Sequence, residues 1–194
     1  MRIRLFALVL ALLVPACGGR GATTPDTGPL TARRLYPMGE GFIWTYDIDT
    51  QTEITALGIS RVMGIDGDVV RIAADGGDER TYELREEGIY RPDTSTWLIH
   101  DPIALGAEWP SSGGRTARIT SISTEVDGTA GHFTRCVEIT EEGGDAGLHV
   151  RTVYCPDVGP ALVESRQDLT LAMSGGVTVT GTLRGFQQGE DDEF

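Results

Sequence analysis

The chain has 194 residues, with 16 basic side chains against 29 acidic ones and a formal net charge of −13. Every basic side chain is arginine, and there is neither lysine nor asparagine. A polyanion of this kind repels nucleic acid and anionic headgroups, which excludes nucleic acid as a partner, and its acidity is read as solubility. The length supports one domain with a real core.

The first segment, residues 1–16, reads as an export signal. Arg2 and Arg4 form its basic start and Leu5 to Val14 its apolar stretch. That stretch is too short to cross a bilayer, which takes about 20 apolar residues in a helix. Val14-Pro15-Ala16-Cys17 resembles the lipobox of bacterial lipoproteins, in which the cysteine is diacylated and becomes the first residue of the mature chain. The resemblance implies lipidation at Cys17 and membrane attachment through it, since two acyl chains hold a protein stably where one does not. Gly18 after the cysteine is similar to outer-membrane lipoproteins. Loss of Arg2 and Arg4 with the leader makes the mature chain two charges more negative.

Residues 17–35 read as the lipidated cysteine and a flexible tether. The Gly-, Thr- and Pro-rich stretch from Gly18 to Leu35 is almost without large apolar groups. As a coil it would span about 25 Å.

Residues 36–188 read as a single β-rich domain. Phe42, Trp44, Tyr46 and Ile48 alternate with polar neighbours, the period-two signature of a half-buried strand. Leu57, Ile59, Met63 and Ile65 are assigned to one face of the next strand, interrupted by Arg61. Further strands are expected over 69–73, 81–85, 97–99, 118–126, 133–140, 148–154, 162–171 and 177–183. Between them stand turn signals: Asp66-Gly67, Asp75-Gly76-Gly77, Glu87-Gly88, Asp127-Gly128, Gly143-Gly144-Asp145 and Gly175-Gly176. About ten antiparallel strands at this spacing predict an all-β domain, as a sandwich or an open, curled half-barrel. A short helix around 160–170 is the less favoured alternative. The acidic end, 189–194, reads as a frayed tail.

The sequence contains one internal echo. Pro37 to Trp44 and Pro102 to Trp109 share the spacing Pro-x3-Gly-x2-Trp. The reading preferred is two similar strand entrances, each with a tryptophan as core plug; the alternative is a duplicated ligand-binding tryptophan. Should the sheet leave an open apolar concave face, Phe42, Trp44, Tyr46, Trp97 and Trp109 would line it.

Leu35-Tyr36-Pro37-Met38 through Trp44-Thr45-Tyr46 resembles the "YxPLxxGxxWxY" opening of uncharacterised bacterial envelope lipoproteins. Gly131 to Cys136 and Tyr154 to Gly159 are similar to their "GxFxxC" and "YxxGVGLV" stretches, with Asp157 in place of the usual glycine and Pro160 intruding. The resemblance implies a β-rich domain of unknown function in the cell envelope, with no catalytic residues to carry over.

Cys136 and Cys155 flank a hairpin turning at 144–147. With the turn centred between Asp145 and Ala146, the two cysteines face each other directly, and Val137 faces Tyr154. A structural disulfide is the reading preferred over a redox switch or a metal thiolate, because export permits it and the pair is not CxxC. His100, His132 and His149 occur singly, which argues against a zinc site. His100-Asp101 lacks a serine elbow. The acidic turns Asp66-Gly67-Asp68 and Asp75 to Glu79 do not fit a calcium loop. No catalytic residue, metal site or cofactor is expected. The functional reading is a lipid-anchored envelope lipoprotein, in the outer membrane with its domain periplasmic or at the cell surface. It would act as a structural or protein-interaction module, with an envelope protein as its partner; the alternative is a carrier of a lipid or other hydrophobic ligand in an open half-barrel.

Overall fold

The computed structural model describes residues 28–51, 55–74, 77, 79–144, 147–168 and 176–189. Twelve strands form one antiparallel sheet: β1 (Ile43–Asp49), β2 (Thr55–Asp66), β3 (Val69–Ala74), β4 (Glu79–Arg85), β5 (Gly88–Arg91), β6 (Thr96–His100), β7 (Glu108–Pro110), β8 (Arg115–Gly128), β9 (Gly131–Gly143), β10 (Leu148–Cys155), β11 (Gly159–Gln167) and β12 (Val177–Gln187). Their order is β6-β5-β4-β3-β2-β1-β12-β11-β10-β9-β8-β7. Each strand thus pairs with its neighbours in sequence, β12 returns to β1, and β6 and β7 meet without a ladder. The sheet curls into a nearly closed up-and-down barrel. This bears out the expected antiparallel all-β fold in its curled form: the β1–β12 pairing joins the two halves of the chain into one sheet, which curls further than a half-barrel.

Core residues follow from the register. Trp44, Val62, Val70, Ile72, Tyr82, Ile89, Ile99, Ile119, Ile139, Val137, Tyr154 and Leu183 are buried. They sit opposite one another in pairs such as Val62↔Ile72, Val70↔Tyr82, Ile89↔Ile99, Ile119↔Ile139 and Val137↔Tyr154. These alternate positions form the inward face. In β2 the expected face is corrected: Leu57 and Met63 are 56% and 51% exposed, while Val62 is buried. A register shift between Val62 and Gly64 breaks the alternation that would have kept Met63 and Ile65 on one side.

Two strands fall outside the expected series, β5 and β7, the second of them at the entrance read over Pro102 to Trp109. They have four and three residues, too few to show a period. The region expected to form a strand or helix near 160–170 is strand through Gln167, and residues 169–175 lie outside the described residues.

The end of the stretch read as tether belongs to the fold. Thr31 caps a helical turn, α1 (Ala32–Leu35), its hydroxyl accepting from Arg34 N. Ala32 and Leu35 are fully buried. The expectation of a spacer through Leu35 is therefore corrected. One turn of helix needs few apolar groups of its own when a barrel end supplies the surroundings. Polar contacts fix it there: both Asp101 carboxylate oxygens accept from Ala32 N at 3.1 and 3.2 Å. Arg33 donates to Leu84 O at 2.7 Å, and Arg34 forms a bidentate pair with Asp157. We call this end of the barrel the base. The opposite end, where β1–β2, β3–β4, β5–β6, β7–β8, β9–β10 and β11–β12 turn back, is the rim.

The two Pro-x3-Gly-x2-Trp stretches are strand entrances of the same build. Phe42 N donates to Gly39 O at 3.2 Å and Ala107 N to Ala104 O at 3.0 Å. Gly41 and Gly106 occupy the turn position with φ of 73° and 82°, where a side chain would be strained. Each tryptophan is buried and donates its Nε1–H to a carbonyl on another segment: Trp44 to Val158 O at 2.7 Å, Trp109 to Trp97 O at 3.1 Å.

Candidate functional site

Between β6 and β7 the barrel is bridged by side chains. Besides the Trp109 bond, Arg91 Nη2 donates to Trp97 O at 3.2 Å and to Ser111 Oγ at 2.9 Å. Ser111 Oγ donates in turn to the Glu141 carboxylate. Glu141 lies between two guanidinium groups, 3.5 Å from Arg91 and 3.2 Å from Arg115, and all three side chains are at most 14% exposed. Arg115 also donates to Ser112 Oγ at 2.9 Å. One buried carboxylate thus compensates two buried cations. Arg91 Nε and Arg115 Nε find no acceptor among the described residues.

Beside this cluster the barrel wall splits. The β3–β4 ladder continues to Ala73↔Glu79, whereas β4–β5 ends at Glu83↔Tyr90. Above that pair, β4 and the β5–β6 hairpin diverge around a cleft of about 200 Å³. Arg80, Thr81, Tyr82, Arg91, Asp93, Thr94 and Ser112 line it. Burial pushes the Tyr82 hydroxyl pKa up, partly offset by the neighbouring charges of Arg80 and Arg91. Burial also raises Tyr154, with Glu141 adding to the rise and Arg91 opposing it. Both phenols therefore stay protonated near neutral pH and act as hydrogen-bonding groups.

A second cleft, of about 170 Å³, is apolar and is lined by Tyr46, Ile48, Val163, Ser165, Val179 and Gly181. Of the five aromatics named as possible ligand lining, Tyr46 alone borders it. Trp44 is enclosed by Tyr36, Phe42 and Phe186 at 5.1 to 6.0 Å between ring centroids. Trp97 packs edge-on to Tyr90 at 5.1 Å, with the Arg85 guanidinium 3.6 Å over the Tyr90 ring. Trp109 belongs to the β6–β7 seam.

Cys136 and Cys155 form a disulfide with a Cα–Cα distance of 4.2 Å. The register runs from Val150↔Glu141 to Tyr154↔Val137, so the cysteines extend the same set of opposed pairs. They share the outer face with Val153, which is nonetheless fully buried. The long β8–β9 hairpin covers that face. Ala130 N at its tip reaches Leu183 O at 3.4 Å, and Thr129 donates to Asp47 at 3.3 Å.

The histidines are dispersed. His132, exposed, bonds Asp127 at 2.7 Å, and the half-buried His149 lies 3.3 Å from Asp168. His100 packs against Trp97 and Trp109, while Asp101 caps α1. Burial raises the Asp101 pKa, opposed by the Ala32 N–H and by His100. Among the described residues no group of three or more His, Cys, Asp or Glu side chains could hold a metal. Asp68 of the first acidic turn pairs with Arg33 at 3.5 Å. Asp75 and Asp78 of the second turn, the acidic tail after Gly189 and Cys17 lie outside the described residues.

Fold and site together define a plugged, up-and-down β-barrel with one bridged seam and an arginine-lined cleft near its rim. No protein-family model matches the chain. No curated protein matches it in sequence. Among solved structures, it is similar to a Bacteroides fragilis protein described as exported and of YmcC-like fold, at 12% identity and a TM-score of 0.46. It is also similar to a Parabacteroides distasonis protein described as a lipoprotein, at 11% identity and a TM-score of 0.47. Each comparison covers 79% of this chain and 98% of the other. No residue role is transferred from either.

Proposed function

We propose that the chain is a lipid-anchored lipoprotein of the bacterial envelope, attached through Cys17. Its barrel acts as a structural or protein-interaction module and has no catalytic activity of its own. The observation that carries this reading is α1: the segment next to the anchor fills the base of the barrel, with Ala32 and Leu35 fully buried. A tether emerging from a filled base presents the rim and outer wall to partners. The outer membrane, with the domain periplasmic or at the surface, is the location this reading carries.

Carriage of a lipid is the second reading, and the apolar cleft at Tyr46 and Ile48 favours it. Its size weighs against it: the cleft holds about 170 Å³, whereas ligand pockets run to about 300–1,000 Å³. Fractionation and native mass spectrometry test both. The wild-type chain should sediment with membranes and the Cys17→Ser chain should stay soluble with a bare protein mass. A Cys17→Ser chain in the pellet would overturn the anchor, and a lipid adduct lost in organic solvent would favour the carrier. The chain used must keep residues 28–35, because starting at residue 36 removes the plug.

A further inference from the structure

We infer that the cleft between β4 and the β5–β6 hairpin is a binding site for a phosphoryl group, with Arg80 and Arg91 as its cationic ligands. The argument begins with charge. On a chain of net charge −13, the cleft and the cluster behind it gather Arg80, Arg91 and Arg115 against Asp93 and Glu141. This leaves a local positive excess in a concave, partly desolvated place where the field is focused. Asp93 also lines the cleft, one of its carboxylate oxygens accepting from Thr94 N at 2.9 Å.

Donors converge on the same space. Thr81, Tyr82, Thr94 and Ser112 line it with Arg80 and Arg91; the Tyr82 hydroxyl bonds Arg80, and the Thr94 hydroxyl bonds that of Thr96 at 2.8 Å. Ser112 Oγ accepts from Arg115, so its own proton is free to point away. The Arg91 Nε–H is buried and has no acceptor among the described residues. A buried donor left this way calls for a ligand or an ordered water. The lining residues, two arginines among them, carry more donors than the roughly four lone-pair sites of a carboxylate can use. A phosphoryl group offers three strong acceptor oxygens that two arginines can share. The volume of about 200 Å³ is that of several waters, each occupying about 30 Å³. It admits such a group with a small substituent.

The phosphoryl group could come from a free ion or from the end of a larger molecule, and titration separates these. The intact chain in non-ionic detergent is titrated calorimetrically with inorganic phosphate, glycerol phosphate and acetate, at low and at physiological salt. Saturable binding of phosphate or glycerol phosphate is expected at millimolar concentration or below, weakening as salt rises. Tighter binding of glycerol phosphate would identify the end of a larger molecule, and tighter binding of inorganic phosphate the free ion. Arg80 is exposed, so Arg80→Gln should fold and bind about tenfold or more weakly, the scale of a lost charge-assisted bond. Arg184→Gln, whose arginine pairs with Asp47, should bind like wild type. The inference is overturned if neither phosphate binds saturably, if acetate binds as tightly as phosphate, or if Arg80→Gln leaves binding unchanged.

Discussion

The two six-strand halves of this barrel meet at two joints, and the joints are built differently. Between β1 and β12 seven residue pairs run from Ile43↔Gln187 to Asp49↔Thr180. Between β6 and β7 there is no ladder, and Trp109, Arg91, Ser111 and Glu141 carry the connection. The entrances to β1 and β7 share a turn, a left-handed glycine and a buried tryptophan. What differs is the strand behind each tryptophan. β1 runs seven residues and pairs on both edges, whereas β7 ends at Pro110, which has no N–H to give. A strand that stops this early leaves carbonyls and side chains to complete the ring. The bridged joint is also where the buried charges and the wall's cleft lie.

Equal truncations at the two joints should give unequal results. Trp44→Ala should cost about 3–5 kcal/mol, the range for deleting a large buried aromatic, read by denaturant unfolding. Trp109→Ala should cost less globally, and hydrogen exchange should accelerate in β5 and β6 before β1 or β12 is affected. Equal global losses with uniform exchange would erase the distinction. Glu141→Gln comes next. Leaving Arg91 and Arg115 without their carboxylate should cost about 3 kcal/mol, the lower end for breaking a buried ion pair, again by unfolding. A neutral outcome would mean that the pair is not buried in solution.

The smallest effect concerns acid. In β9, burial alone would raise the Glu138 pKa, but the Thr120 hydroxyl and Arg151 bring it below the usual carboxylate range. A depressed folded-state pKa contributes stability above the unfolded value, and that contribution disappears as pH falls through the folded one. With Arg151 37% exposed, the term is at most about 1 kcal/mol. Arg151→Gln should flatten the acid limb of a stability–pH profile, and an unchanged limb would assign it to other carboxylates.

Much of the barrel could be read from residue order. The cysteine register was legible because a Gly-Gly-Asp turn fixes a centre and strict alternation fixes the faces, so Val137 had to meet Tyr154. The paired tryptophan entrances were legible because proline, glycine and tryptophan constrain the backbone locally. Closure was not, since strands of four and three residues carry no periodicity. Nor was α1, whose Ala32 and Leu35 are buried by the barrel rather than by neighbours in sequence. The arginine cleft was hidden for a related reason: Arg80, Arg91, Arg115 and Glu141 sit on four strands, and only the curl of the sheet brings their side chains together.

The plug at the base has a mechanical meaning. A pull on the N-terminal segment is first taken by the Ala32–Asp101 bonds and the Arg34–Asp157 pair. It then passes to the lower end of β1, whose two edges are held by β12 and β2. Tension along that strand loads both ladders in shear, so many bonds must yield together. The chain is thus moored at the centre of a hydrogen-bonded sheet, where a strand resists being drawn out far better than one peeled from an edge.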